Sequence, residues 1–284
     1  MSFSVRTDLA AEARRLWQRS AEDTAALPGV LAREETVEGL PVFAVDIIKE
    51  EGARALGKAI GRYYALQLPE KLGRGSEAFP AAVRALAALL RRCMERPPRS
   101  VLVAALGNPD ITPDALGCLA AESVLVTRHL KREGDAAFAG FCSLALCRPG
   151  VLGTTGVESA AQVAMLCRAL SPELVIAVDA LAGAEAESLC RTVQVTDAGI
   201  CPGSGVGNDR QELSRRSLGV PVISVGMPTV IDAASLGGEG VDSLFVTPRD
   251  IDRQVRTGGR LIGCAVDLAV HPGISLADID ALTD

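Results

Sequence analysis

The chain has 284 residues and a formal net charge of −6, with 48% hydrophobic and 23% charged residues. This composition allows a sizeable core and excludes a disordered chain, and the acidic balance argues against nucleic-acid binding, which normally needs a basic surface. Charges throughout the first residues indicate no secretory signal, and no apolar run has the length of a membrane span. The sequence therefore predicts a soluble cytoplasmic protein that binds neither nucleic acid nor membrane.

The N-terminal half alternates short apolar runs with helical patterns. The first strand is predicted over 40–48, followed by a helix over 50–61 and a second strand over 62–68. The next helix, over 81–94, has a regularly spaced apolar face and ends before two prolines. An apolar run over 100–106 predicts a buried strand.

The second half continues this alternation. Strands are predicted over 141–147, 174–178 and 220–226, with a helix over 158–170. The last two strands are apolar on both faces, which is typical of central strands covered by helices on both sides. The pattern predicts an α/β fold, with a doubly wound, mostly parallel sheet and helices on both faces. Without a repeat or a long linker, a single domain is expected.

Cysteine and histidine usage limits the possible metal chemistry. The eight cysteines have no C-x-x-C spacing and lie mostly in apolar runs, so we expect buried thiols in a reducing compartment. Only two histidines are present, His129 and His271, which excludes a His-rich metal site. The sequence predicts neither a metal nor a cofactor.

Three alternating glycines, Gly203, Gly205 and Gly207, raise the question of a phosphate-binding loop. Their G-x-G-x-G spacing differs from the dinucleotide fingerprint, and no Walker motif is present. Asp209 and Glu212 follow, and these carboxylates would repel a phosphate at a helix N-terminus. We interpret the glycines as allowing the backbone to approach a bound chain closely.

Two carboxylates follow predicted strands. Asp114 lies in the loop after 100–106, and Asp179 directly follows 174–178. Ligands of open α/β sheets gather beyond the carboxyl ends of strands, and two close carboxylates can divide acid and base roles. Helix capping is the alternative for each, with Thr112 as N-cap and Asp114 in the first turn, and with Asp179 capping the segment after it.

Long segments in a fixed order include "ALGNPDITPDALG", "LVIAVDALA", "TDAGICPGSGVGND" and "GVPVISVGMPTVIDA". Together they resemble the germination protease family of spore-forming bacteria, over nearly the whole chain. The resemblance implies an atypical aspartic endopeptidase that begins the degradation of small acid-soluble spore proteins in the spore core. It also implies a homotetramer and an α/β fold similar to that of hydrogenase-maturation endopeptidases.

The resemblance assigns residue roles as well. The "TPDALG" and "DALA" motifs place the catalytic pair at Asp114 and Asp179. The matching "PGSGVGN" segment implies a site-shaping loop that contains Gly203, Ser204, Gly205, Gly207 and Asn208. The long insertion that many members carry before "VTP" is missing from this chain. A metal-assisted endopeptidase that uses the same aspartates as ligands, and an inactive homologue that binds spore proteins, are the alternatives.

The N-terminal sequence "RTDLAAEA" has the form of the site that family zymogens cut in themselves. The resemblance implies cleavage between Asp8 and Leu9, which divides the chain into a propeptide over 1–8 and a peptidase domain over 9–284. The alternative is that Asp8 only caps the following helix. The two roles are compatible if the bond lies in a frayed terminus that a protease can reach.

Overall fold

The computed structural model describes residues 7–20, 27–73, 75–203, 211–236 and 244–283. Within these ranges the chain forms one mixed sheet. Its strands are β1 Val30–Val37, β2 Leu40–Ile47, β3 Gly61–Gln67, β4 Ser100–Ala105, β5 Ser143–Cys147, β6 Leu174–Gly183, β7 Thr192–Thr196, β8 Val222–Asp232 and β9 Phe245–Val246.

The helices cover both faces of this sheet. They are α1 Ala10–Ser20, α2 Glu50–Leu56, α3 Ala78–Cys93, α4 Leu116–Ala121, α5 Arg128–Glu133, α6 Leu152–Thr155, α7 Ser159–Leu170, α8 Arg215–Leu218, α9 Ile251–Val270 and α10 Leu276–Thr283. Among the described residues, none of these helices combines the length and the apolar character that crossing a membrane requires.

The strand order is β1-β2-β3-β7-β8-β6-β4-β5, with β9 paired to β8. The strands β5, β4, β6 and β8 are parallel neighbours, whereas β1, β2, β3 and β7 are antiparallel to their partners. The fold is therefore α/β with helices on both faces, as predicted, but its sheet is mixed rather than mostly parallel. The difference arises because β2 and β3, predicted as strands joined by a helix, pair antiparallel, and because β1, β7 and β9, for which no strand was predicted, add further antiparallel pairs.

Each face of the sheet has its own core. On one face α3, α4 and α9 pack over the central strands, with Leu86, Val103 and Ile262 in this core. On the opposite face α7 covers β4 and β6, and α1 covers β2 and β3. Between α1 and α7, none of the described helices lies over the middle of β6, β7 and β8, and two cavities are found there.

Two strands extend further than predicted. The strand predicted over 174–178 continues to Gly183, and the strand predicted over 220–226 continues to Asp232. They stay paired with each other beyond the end of β4, with a register shift between Leu181 and Ala182. The segment after Asp179 is therefore a strand, and the prediction that Asp179 caps a following helix is wrong.

Candidate active site

Asp114 lies at the carboxyl end of β4 in a tightly closed loop. The chain leaves β4 through Gly107, whose φ is 101°, and returns in a 3-10 turn over Thr112–Asp114. Oδ2 of Asp114 accepts a hydrogen bond from the N–H of Asn108 at 2.8 Å. A Cβ at Gly107 would lie 1.9 Å from the carbonyl oxygen of Asp114, so only glycine permits this closure.

The structure does not show the helix cap that the sequence suggested at Thr112. Thr112 is the first residue of the 3-10 turn rather than an N-cap, and helix α4 begins after Ala115 without a side-chain cap bond. The bond between Asp114 and Asn108 ties the carboxylate to the loop that follows β4. Asp114 is therefore held beside the strand end rather than at the start of α4.

Asp179 lies within β6 and is 4% exposed. The pairing of β6 with β4 ends at Val178, so Asp179 is the first residue of β6 beyond the edge of β4. Alternation along the strand places it on the same face as Val175 and Ala177, which pack under α7. Oδ1 of Asp179 accepts a hydrogen bond from the N–H of Ala180 at 3.0 Å. Its side chain therefore faces the gap between α1 and α7.

Gly226 lies between Asp179 and a polar residue of β7 in the sheet. Gln194 on β7 pairs with Gly226 on β8, and Gly226 pairs with Asp179 on β6. A Cβ at Gly226 would lie 2.4 Å from the carbonyl oxygen of Asp179 and 2.8 Å from Cγ of Leu181. Gln194 and Asp179 thus lie on one face in a single row, with Gly226 between them and the Leu181 side chain over Gly226.

Both candidate carboxylates border one cavity of about 460 Å³. Asp114 and Asp179 line it together with Asp8 from the N-terminal segment. A second cavity of about 200 Å³ is lined by Asp8, Asp179, Lys58 and Gln194. A cleft of about 900 Å³ beside Arg15 and Phe43 is larger, but neither predicted carboxylate lines it. We therefore place the candidate chemistry in the two smaller cavities.

The N-terminal segment is anchored across this site. The N–H of Asp8 donates to the carbonyl of Ala182 at 2.8 Å, and the N–H of Ala182 donates to Oδ2 of Asp8 at 2.8 Å. The Nζ of Lys58 donates to the carbonyl of Thr7 at 2.7 Å. Asp8 therefore binds β6 through both its backbone and its carboxylate.

The residues after Asp8 are packed rather than frayed. Leu9 is 1% exposed, and the Glu12 side chain is buried. The Glu12 carboxylate accepts hydrogen bonds from the N–H groups of Ala184 at 2.7 Å and Glu185 at 3.3 Å. The expectation of a frayed terminus at the Asp8–Leu9 bond is therefore wrong, because contacts on both sides hold this bond beside Asp179.

Two residues of the site have no role in the sequence-based prediction. Lys58 is partly exposed but directs its Nζ into the enclosed region, where desolvation lowers its pKa and the carboxylates of Asp8 and Glu12 oppose that shift. Gln194 is 6% exposed and lies at the middle of β7. The alternation of polar and apolar residues in "TVQVT" is the signal that could have identified a polar strand face.

The remaining predicted site residues belong to the glycine segment. Gly203, with φ 74°, borders both cavities. Ser204, Gly205, Gly207 and Asn208 lie outside the described residues. Within the described ranges, no group of three or more His, Cys, Asp and Glu residues could hold a metal ion. His129 is exposed, and His271 is buried against α9 on the opposite face.

Comparison with known proteins identifies similar sequences over nearly the whole chain. A family model described as germination protease matches residues 7–246. The chain is 34% identical over 325 residues to the germination protease of Clostridium perfringens, covering 98% of both chains. It is 38% identical over 263 residues to that of Bacillus cereus, covering 91% of this chain and 71% of the relative.

Among solved structures, the NiFe hydrogenase maturation protease HycI from Thermococcus kodakarensis matches with a TM-score of 0.37 and 17% identity. The match covers 63% of this chain and 98% of that protein.

Proposed function

Because the chain belongs to the germination protease family, we propose that it is an endopeptidase that cuts small acid-soluble spore proteins when spores germinate. The observation that carries this proposal is the shared cavity, which Asp114 and Asp179 border together. The first carboxylate comes from the β4 loop and the second from β6, so two neighbouring parallel strands supply the pair. This arrangement favours the atypical aspartic class of peptidase.

The two carboxyl groups would share one proton. The ionised member removes a proton from water, and the resulting hydroxide forms a bond to the carbonyl carbon of the scissile peptide. The protonated member then transfers its proton to the departing nitrogen as the C–N bond breaks. The products are a new carboxyl group and a new amino group, and the pair ends with one proton, as it began.

We further propose that the chain is made as a zymogen that removes residues 1–8 by cutting between Asp8 and Leu9. Asp8 borders both cavities that Asp179 borders, and its segment lies against β6. Until it is cut, the segment occupies space that an external substrate would need. Since contacts hold the bond in place on both sides, this geometry favours cleavage by the site of the same chain.

The proposal includes a homotetramer in the cytoplasm of the spore core, with protein substrates and neither nucleic acid nor membrane as partners. Similarity to a family of proteases from spore-forming bacteria supports this assignment. Sedimentation of the purified chain tests the oligomer, since a tetramer of 29.5 kDa subunits sediments well apart from a monomer.

The test of function is incubation of the purified chain with a small acid-soluble spore protein, followed by mass spectrometry of the fragments. We expect cleavage after an acidic residue that precedes an apolar one, and loss of cleavage in Asp114→Asn. The matched control is Asp110→Asn, because Asp110 is exposed in the same loop. Equal loss in both variants would contradict the assigned role of Asp114.

The same assay separates the other possible functions. Cleavage that survives EDTA agrees with the aspartic mechanism, whereas loss restored by one divalent ion would indicate a metal-assisted endopeptidase. Binding of the spore protein without any cleavage would indicate an inactive homologue. Intact mass of the matured chain should show Leu9 as the new N-terminus, and Asp179→Asn should stay uncut.

A further inference from the structure

Gln194 contacts both sides of the bond that we propose is cut. Its Nε2 donates a hydrogen bond to the carbonyl oxygen of Asp8 at 3.0 Å. Its Oε1 accepts a hydrogen bond from the N–H of Ala10 at 2.8 Å. The Asp8 carbonyl belongs to the Asp8–Leu9 peptide itself, and the Ala10 N–H belongs to the next peptide. One side chain thus holds the two peptides on either side of Leu9.

The orientation of the Gln194 amide follows from its partners. A carbonyl oxygen can only accept, and a backbone N–H can only donate, so the NH₂ group must face Asp8 and the oxygen must face Ala10. The reversed amide would place two acceptors together and two donors together. The donor is therefore aimed at the carbonyl oxygen of the scissile bond.

The position of Gln194 on the sheet suits a role in catalysis. It lies in the same cross-strand row as Asp179, with Gly226 between them, and both side chains line the cavity of about 200 Å³. Gln194 is almost completely buried, so its amide exchanges little with water. A preorganised donor in such surroundings stabilises developing negative charge more strongly than a solvated donor does.

We propose that Gln194 is a catalytic residue of the self-cleavage at Asp8–Leu9, where its Nε2–H₂ stabilises the oxyanion. This inference rests on the proposed function. As water attacks the Asp8 carbonyl carbon, the C=O double bond becomes a single bond and its electron pair moves onto the oxygen that Gln194 contacts. The proton of the water passes to one member of the Asp114 and Asp179 pair. When the C–N bond breaks, the double bond re-forms and the Leu9 nitrogen takes the proton of the other member.

The contact with Ala10 gives the same residue a positioning role. Because Oε1 holds the N–H of Ala10 while Nε2 holds the carbonyl of Asp8, the chain cannot rotate about the intervening bonds without breaking one contact. The Asp8 carbonyl is therefore held in one orientation, and Asp8 itself lines the cavity that both carboxylates border.

The test follows self-cleavage of the full chain over time by intact mass spectrometry, starting from cell-free synthesis. In Gln194→Met the side chain keeps its length but loses both the donor to Asp8 and the acceptor for Ala10, and we expect cleavage to slow by about 100-fold or more. The matched control is Gln67→Met on β3, because Gln67 is a half-buried glutamine that binds Thr192 instead of the N-terminal segment. It should cleave at the parental rate.

A second variant distinguishes catalysis from folding. In Gln194→Glu the carboxylate can still accept from Ala10, but it donates to Asp8 only when it is protonated. We expect its rate relative to the parent to rise as pH falls, because protonation restores the donor. A ratio that does not change with pH, or a rate of Gln194→Met close to that of Gln67→Met, would overturn the inference.

The chain with Asp179→Asn separates this inference from the proposed function. If that variant is uncut while Gln194→Met cleaves normally, only the role of Gln194 is refuted. If Asp179→Asn itself cuts at Asp8–Leu9, the proposed carboxyl pair is wrong and the self-cleavage needs another explanation.

Discussion

Two carboxyl groups are buried on opposite faces of the same sheet, and their surroundings differ. Asp179 lies in the gap between α1 and α7, where it borders cavities with Asp114, Asp8 and Lys58. Asp267 on α9 is completely buried, and both of its oxygens accept from the N–H of Leu125. Burial raises the pKa of Asp267 to about 8.

Burial is the largest cause of the pKa shifts of Asp267 and His271, two buried titratable groups in this part of the core. Burial also lowers the pKa of His271 to about 4, and this ring lies 3.6 Å from Asp267. At neutral pH the expected pair is thus a neutral acid beside a neutral imidazole, which ties α9 to the chain around Leu125. Asp179 differs because it faces a cavity, a second carboxylate and a peptide segment. Asp179 is therefore distinguished from Asp267 by its access to a cavity that a substrate could enter, and not by its burial.

The largest expected difference is in hydrolysis. Asp179→Asn removes a carboxyl group for which we propose proton exchange with the substrate, and the loss of such a group costs roughly 100-fold to 10,000-fold in rate. Asp267→Asn replaces an acid that is neutral at pH 7 with a neutral amide, so we expect near-parental turnover. Cleavage rates of a spore-protein substrate check both variants. Equal losses would remove the distinction between the two regions.

A substitution at Gly226 tests whether the cross-strand row of Gln194, Gly226 and Asp179 requires a glycine at its middle position. Gly226→Ala places a methyl group against the backbone of Asp179, where the Cβ would lie 2.4 Å from a carbonyl oxygen. We expect β8 and β6 to separate, with a loss of about 1–3 kcal/mol in the free energy of unfolding and a lower turnover.

The control for Gly226 is Gly140→Ala. Gly140 is exposed and has no atom within 4 Å of an added Cβ, so its stability and turnover should stay close to the parental values. Urea unfolding and the cleavage assay measure the two quantities. If Gly226→Ala behaves like Gly140→Ala, the position between Gln194 and Asp179 does not require glycine.

A further effect is a pH dependence of stability that comes from Asp267. Its folded pKa of about 8 exceeds the unfolded value, so its contribution is complete below the unfolded pKa and is lost as pH rises through the folded one. Between pH 5 and 7 the unfolding free energy of the parent should therefore fall relative to Asp267→Asn, by up to about 1.4 kcal/mol per pH unit. The contribution of His271 is present in both chains.

Unfolding free energies of the two chains at pH 5, 6 and 7 measure this slope. A difference between parent and Asp267→Asn that stays constant over this range would show that Asp267 is ionised in the folded protein. The contrast with Asp179 would then rest on the cavity alone.

Much of the fold follows from local pattern. The apolar run of β4 and the periodic apolar face of α3 predicted these elements to within three residues, and the apolar run of β6 predicted its first half. Burial on two faces leaves a continuous apolar run, and burial on one face leaves a readable period. The place of Asp114 in the loop after β4 also followed, whereas Asp179 was expected at the end of its strand and lies inside β6, just beyond the edge of β4. Strand β1 did not follow, because its charged residues resemble a surface loop, whereas β7 carries a period-two alternation that the prediction overlooked.

What the sequence determined by itself is thus the α/β class and the central strands, whereas the two aspartates stay its prediction for the site. Tertiary structure decided the rest of the site. Gln194 and Asp8 are 186 positions apart, and they meet only because β7 inserts between β3 and β8 while the N-terminal segment lies against β6. Periodicity reports which side of a strand is buried, but it carries no information about which distant strand becomes its neighbour. The choice of neighbouring strand depends on the packing of the whole sheet. In this protein it places the Gln194 amide beside the Asp8–Leu9 peptide bond.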